Sequence, residues 1–322
     1  MPGNSRKKKD TESREVTKMI SAWERIRTNQ STSLYIMLAT AVVITFTFRY
    51  IPLYGIIIAF QNFKPVRGMF GAQEWIGLAN FKYIFTMPEF YGALRNTLVI
   101  SGEKLFLGIL VPVTAAILLN EIRISAYKRT VQTIVYFPYF ISWIILGGIL
   151  IDALSPSTGI VNNFLGLFGV EPIYFLADKR AFPWVLIISE VWKNYGFSMI
   201  LYLAAISNID PGLYESAIVD GAGIFKRMLN VTLPGLIPMI SLSAVLSIGQ
   251  LLNAGFEQVF TLLNDSVVET GEIIDTLVYK MGIGSSMYSM STSVGLFKSL
   301  VSMALLSFGY YIAYKKADYK VF

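Results

Sequence analysis

Residues 210–234 read DPGLYESAIVDGAGIFKRMLNVTLP, a polar-punctuated stretch lying between two very apolar ones. Asp210 is placed to cap a helix whose first position is Pro211, where a missing N–H costs nothing and φ is already helical. The helix predicted from there runs towards Val219. Leu213, Tyr214, Ala217 and Ile218 fall on one side of it, while Glu215 and the following Asp220 offer charges to solvent or to a partner. Gly221 and Gly223, with Ala222 between them, permit a turn that a β-carbon would hinder. A second short segment follows with Phe225, Lys226 and Arg227, and Pro234 and Pro238 sit near the start of the next apolar run, where proline is tolerated or kinks the helix.

Outward from this stretch the chain is a series of apolar runs. Of its 322 residues 54% are hydrophobic and 15% charged, and the mean hydropathy is +0.55, too apolar for an ordinary soluble domain of this size. A hydrocarbon layer about 30 Å thick requires roughly 20 apolar helical residues. Six windows meet that requirement, at 34–60, 97–120, 131–152, 182–206, 231–254 and 294–314. The expected fold is an all-α integral membrane protein of about six transmembrane helices. The second window holds Glu103, Lys104 and Pro112 and the fourth holds Glu190 and Lys193, so both are expected to face other helices or a wet cavity. The chain divides into a basic segment 1–33, a transmembrane domain 34–314 with a loop at 207–230, and a tail 315–322. The leading segment is too long and polar for a cleaved signal peptide, and the run from Leu34 is read as retained.

Lys and Arg set the orientation. Of the 27 in the chain, 16 fall in 1–33, 121–130, 207–230 and 315–322, and 7 in the three alternate connections. The positive-inside rule places both termini in the cytoplasm and 61–96, 153–181 and 255–293 outside. The net charge of +6 therefore reads as topology and lipid contact, and no basic stripe points to nucleic acid. With no Cys and no His, the chain lacks thiol nucleophiles, imidazole bases and the usual zinc ligands. No G-x-x-x-x-G-K-S/T phosphate loop occurs, nor any Gly-Lys dipeptide, so ATP, if used, is bound elsewhere.

The 210–234 segment resembles the EAA motif of bacterial ABC-importer permeases, Glu-Ala-Ala, three residues, Gly, nine residues, Ile-x-Leu-Pro. The match is Glu215, Ser216, Ala217, Gly221, Val231, Leu233 and Pro234 with every spacing kept; Ser216 replaces the middle alanine and Val231 the isoleucine. The strings FRYIPLYGIIIAFQNF from Phe48, WIGLANFKYIF from Trp75, LLNEIRISAYKRTVQTIVYFPYFISW from Leu118 and WKNYGFSMILYLAAISNIDPGLYESA from Trp192 extend the likeness. So do GEIIDTLVYKMGI from Gly271 and SVGLFKSL from Ser293. Together they resemble polysaccharide-type permeases of the carbohydrate importers, with alginate-oligosaccharide permeases a close candidate. The resemblance implies type I ABC-importer permease architecture in a bacterial inner membrane, with no cofactor in this chain. It implies a second, homologous permease, two cytosolic ABC ATPases that bind ATP and Mg, and an extracytoplasmic solute-binding protein. It also implies that Glu215, Ser216, Ala217, Asp220, Gly221, Ala222, Gly223, Phe225, Leu233 and Pro234 form the coupling contact with the ATPase.

Sugar pathways combine aromatic faces with groups that bond hydroxyls. Trp192, Lys193, Asn194 and Tyr195 in the fourth window make one such cluster, and Asn253, Phe256 and Glu257 at the end of the fifth make a second. Each has a plain alternative, since Trp and Tyr favour the membrane interface and Asn bridges helices. Arg49, Lys104, Lys193 and Lys298 are cations within apolar windows. They suit an anionic saccharide, or else pair internally, Lys193 with Glu190 and Lys104 with Glu103 or another acid. The acids Glu257, Asp265, Glu269, Glu272 and Asp275 in 255–293 suit docking of a binding protein or capping of the outer gate. The competing function class is an ion-coupled secondary transporter or channel subunit.

Overall fold

The computed structural model describes residues 30–317, so residues 1–29 of the basic segment and 318–322 of the tail lie outside the described residues. The described chain divides into two compact units, with the boundary between Ile57 and Ile58. The first contains α1 (Gln30–Thr45), which continues through a π-helical turn at Phe46–Tyr50 into 3₁₀ geometry from Ile51.

The second unit is built on two long helices, α2 (Pro88–Asn120) and α5 (Ala181–Ser207), which pack on one another more extensively than any other pair. Between them come α3 (Ser125–Tyr136), a 3₁₀ turn Phe137–Phe140 and α4 (Trp143–Ala153). After α5 come α6 (Pro211–Val219), α7 (Ile224–Arg227), α8 (Leu233–Ile248), α9 (Phe256–Leu262) and α10 (Tyr288–Ala317). A two-residue antiparallel ladder pairs Gln61 with Trp75 and Asn62 with Glu74.

All six apolar windows coincide with helices, four of which are long and apolar enough to cross a membrane: Leu34–Phe60, Pro88–Asn120, Ile224–Ile248 and Tyr288–Tyr311. The 27-residue α5 has the length, and its charges Glu190 and Lys193 lower its apolarity. The third window departs from expectation. It is a pair of segments, Ser125–Phe140 and Trp143–Ala153, bent by 103°. The break has local causes: Pro138 removes an amide donor, and Ser142 caps a new helix by accepting from the Ile145 amide at 3.4 Å. The second window starts earlier than expected, because Pro88 occupies a permitted first position. The fifth is shorter, since α8 ends at Ile248 and residues 249–255 turn before α9.

Two apolar clusters join α2 to α5. Ile100 packs with Phe182, Leu186, Ile187, Val259 and Leu262, while Val113, Ala116 and Leu119 pack with Met199, Tyr202, Ile206 and Leu236. Between these layers, apolar contact gives way to polar side chains.

Candidate functional site

The 210–234 stretch folds as its sequence dictates. The Asp210 carboxylate accepts from the Gly212 amide at 2.9 Å, Pro211 opens α6, and the helix ends at Val219. Gly221 takes φ +75°. Its amide reaches the Ile218 carbonyl at 3.0 Å, and the Ala222 amide reaches Ala217 at 2.8 Å. This paired closure is a Schellman motif, which requires a left-handed residue where glycine stands. Tyr214 and Thr232 hydroxyls lie 3.0 Å apart, tying α6 to the base of α8. Much of the rest of the segment's surface is open and apolar: Val219 is 87% and Phe225 79% exposed, with Leu213, Ile218, Ile224 and Leu229 also exposed. Glu215, Ser216, Asp220 and Gly223 are exposed and Ala217 and Ala222 half-buried around the same turn, while Leu233 and Pro234 begin α8. The α5 helix reaches this segment through only Asn208 and Ile209 before the Asp210 cap.

Midway along α5, a cavity of about 410 Å³ opens between α2, α5 and the end of α8. Its walls include Lys104, Glu190, Asn194, Tyr195, Gln250 and Asn253. Asn194 donates to Glu190 Oε1 at 2.7 Å, and Asn253 donates to Gln250. Lys104 Nζ donates to the Ala254 carbonyl at 2.7 Å and to Gln258 Oε1, and stands 3.9 Å from Glu190 Oε2. Gln258, fully buried, is itself fixed by donating to the Leu186 carbonyl and Ser189 Oγ, each at 2.8 Å. Hydroxyl, amide and charged groups thus converge on a space large enough for a sugar ring.

The structure brings Asn194, Tyr195 and Asn253 together and separates their sequence neighbours from them. Trp192 lines a different, apolar cavity of about 510 Å³ with Trp184 and Ile188. Phe256 stacks with Phe260 at 5.3 Å between ring centroids and lies tilted against Tyr279 at 5.6 Å, and Glu257 is exposed on α9. Arg49 belongs to the other unit, on its π-helical turn.

Lys193 does not pair with Glu190, which faces Lys104 instead. Its Nζ donates to the Tyr139 carbonyl at 2.7 Å and lies 5.3 and 5.7 Å from the Tyr139 and Trp143 ring centroids. Burying an ammonium is costly without such partners, and both arms of the bent pair supply them. Lys298 pairs with Asp275 at 2.5 Å. Three of the five acids in 255–293 are held within the chain, Glu269 by Lys179, Glu272 by Lys280 and Asp275 by Lys298. Burial pushes the Glu272 carboxyl up, against the pull of Lys280, whereas donation from Lys179 holds Glu269 below the usual carboxylate range.

Sequence reasoning missed Gln258, Gln250 and Ser101, and left Lys104 open between a cation suited to an anionic saccharide and an internal pair; the structure sets it on the cavity wall. These residues come from α2, from the turn 249–255 and from α9, and the fold brings the first together with the other two. The one local signal was Gln258, an amide inside the apolar run Phe256–Leu262.

A family model described as binding-protein-dependent transport system inner membrane component matches residues 108–318. The polygalacturonan/rhamnogalacturonan transport system permease protein YteP of Bacillus subtilis (strain 168) is 41% identical over 281 residues, covering 87% of each chain. A chain from the crystal structure of a bacterial ABC transporter involved in the import of the acidic polysaccharide alginate superposes with TM-score 0.81 at 36% identity. That match covers 92% of this chain and 99% of the other. A second structure, of a bacterial alginate ABC transporter in complex with an alginate pentasaccharide-bound periplasmic protein, gives TM-score 0.80 at 35% identity, over 90% and 96%.

Proposed function

This chain belongs to the family of binding-protein-dependent transport system inner membrane components, and on that premise we propose that it is one permease of an ATP-driven importer for uronate-containing oligosaccharides. As a family member it is a transport subunit and not itself the catalyst of hydrolysis. Support for the substrate class comes from two independent similarities, to a polygalacturonan/rhamnogalacturonan permease and to an importer of acidic alginate. The observation that carries the mechanism is the continuity of α5. One helix lines the polar cavity with Glu190 and Asn194 and runs directly into the capped, apolar-faced segment 207–230.

In this reading the open face around Val219 and Phe225 seats in a cytosolic ABC ATPase, of which the complex holds two, each binding ATP and Mg. The 410 Å³ cavity forms part of the saccharide pathway, completed by a second permease, and an extracytoplasmic binding protein delivers the sugar. An ATP-driven closure reaches the pathway only through a contact that differs between states, and α6 with α7 is the surface available for it.

The test is reconstitution of this chain with its companion permease, ATPase and binding protein in vesicles. Hydrolysis and uptake are expected to rise when the binding protein carries uronate oligosaccharides and to stay low with neutral ones. Uptake driven by an ion gradient without ATP would overturn the importer reading in favour of a secondary transporter.

Orientation has its own test, because the chain contains no cysteine. Single cysteines at Ser125 and Asn230 are expected to react with an impermeant maleimide only from the cytoplasmic side. One at Val66, which is fully exposed, is expected to react only from outside. Reaction of Ser125→Cys from outside would invert the topology.

A further inference from the structure

The least settled group in the cavity is the Glu190 carboxylate. Its Oε1 accepts from Asn194, while its Oε2 is buried with no hydrogen-bond partner among the described residues. The nearest cation, Lys104 Nζ, is 3.9 Å away, too far for a hydrogen bond, because it is drawn to the Ala254 carbonyl and to Gln258. An ammonium has three donors, and a buried carboxylate oxygen left without one is destabilising. The limit is therefore one of position and not of donor count: held against the Ala254 carbonyl and Gln258, Nζ stays 3.9 Å from Glu190 Oε2, and the conformation seen here satisfies the backbone carbonyl while leaving the carboxylate oxygen short.

The two acceptors differ in what they are attached to. Glu190 sits on α5 beside the anchored Gln258, whose amide is bonded to Leu186 and Ser189 of the same helix. Ala254 sits in the turn 249–255, at the end of the continuous segment that begins with α7, passes the π-helical turn Met228–Thr232 and runs through α8. A push on the coupling segment has a direct covalent route to Ala254 and a separate one, through α5, to Glu190. At Gly255 an added β-carbon would stand 3.3 Å from Lys104 Nζ and 3.7 Å from Glu190 Oε2, so the turn, the cation and the carboxylate meet at one point.

We propose that Lys104 is a positioning residue that changes partner during transport, releasing the Ala254 carbonyl and closing on Glu190 Oε2 as the 249–255 turn moves. This rests on the importer reading above. The exchange supplies differential contacts in both end states, which is what a two-state transition requires. It also explains why a buried carboxylate oxygen is left short of a donor here. Lys193 has no comparable choice, since its contacts are all to the break it bridges.

The test uses the full complex with a single reporter, Asn253→Cys, next to Ala254 on the cavity wall. Its reaction rate with a water-soluble maleimide is measured without nucleotide and with a non-hydrolysable ATP analogue. The reporter alone is expected to show a difference between the two states of about tenfold, the scale set by one charge-assisted hydrogen bond. Adding Glu190→Leu removes the second acceptor and is expected to collapse that difference to less than about twofold by the same reckoning. Adding Lys104→Met frees the turn in both states and is expected to raise both rates. Full nucleotide dependence retained in Glu190→Leu, or none in the reporter alone, would overturn the exchange. ATPase co-purification and binding-protein-stimulated hydrolysis on the complex without the reporter test the importer reading separately.

Discussion

Replacing Gly221 by valine is expected to lower saccharide uptake per ATP hydrolysed by about tenfold or more, through backbone strain of roughly 1–3 kcal/mol concentrated in one turn. At φ +75° an L residue is strained, and a β-branched one most of all. The strain is purely conformational, because a β-carbon at Gly221 would meet nothing within 4 Å. The fold of the membrane helices is thus not put at risk by a clash. What changes is the Schellman closure that sets the angle between α6 and α7, and with it the shape of the apolar face around Val219 and Phe225.

Gly223 provides the internal control. It lies two residues away with equally open surroundings, but its φ of −68° is ordinary for any residue. Gly223→Ala is expected to transport like the parent, Gly221→Ala to fall between, and Gly221→Val to lie lowest. Uptake and hydrolysis measured together in vesicles check the order. Unchanged uptake per ATP in an assembled Gly221→Val complex would remove 207–230 as the coupling element.

Legibility in the sequence followed the range of the interactions. The 210–234 segment was readable apart from Gly223, which the turn does not require, because its cap, its proline and Gly221 act within a few positions through backbone groups nearby. The six apolar windows were readable because lipid imposes a length on any spanning helix. The bend of the third was not, since a proline within an apolar run is also compatible with a kinked but continuous span, and the decisive contact comes from Lys193 on another helix. The cavity was half-legible for the same reason. Asn194 and Tyr195 stood out as polar and aromatic residues in an apolar run, but their neighbours Trp192 and Lys193 lie farther around the helix and face other surroundings. Lys104 and Gln258 are 154 positions apart, and no local pattern joins them.

The second large effect lies at that bend. Lys193, Gly196 and Phe197 occupy adjoining turns of α5 and grip it together. Lys193, 7% exposed, donates to the Tyr139 carbonyl, Phe197 stacks on Tyr139 with centroids 4.1 Å apart, and Gly196 lets the Val135 backbone lie against α5. A β-carbon at Gly196 would fall 2.1 Å from the Val135 carbonyl oxygen, a distance that only movement of one helix relieves. Gly196→Ala is therefore expected to prevent recovery of a stable complex. Lys193→Met keeps the apolar stem but deprives the Tyr139 carbonyl of its donor and the two rings of their cation, at a cost of about 1–3 kcal/mol. Its thermal unfolding midpoint is expected to fall, with Lys193→Arg recovering part of the loss. Because Lys193 braces the break and does not line the 410 Å³ cavity, Lys193→Met is expected to slow uptake of acidic and neutral oligosaccharides by the same factor. A selective loss of acidic substrates at unchanged thermal stability would show instead that this ammonium reads the charge of the sugar.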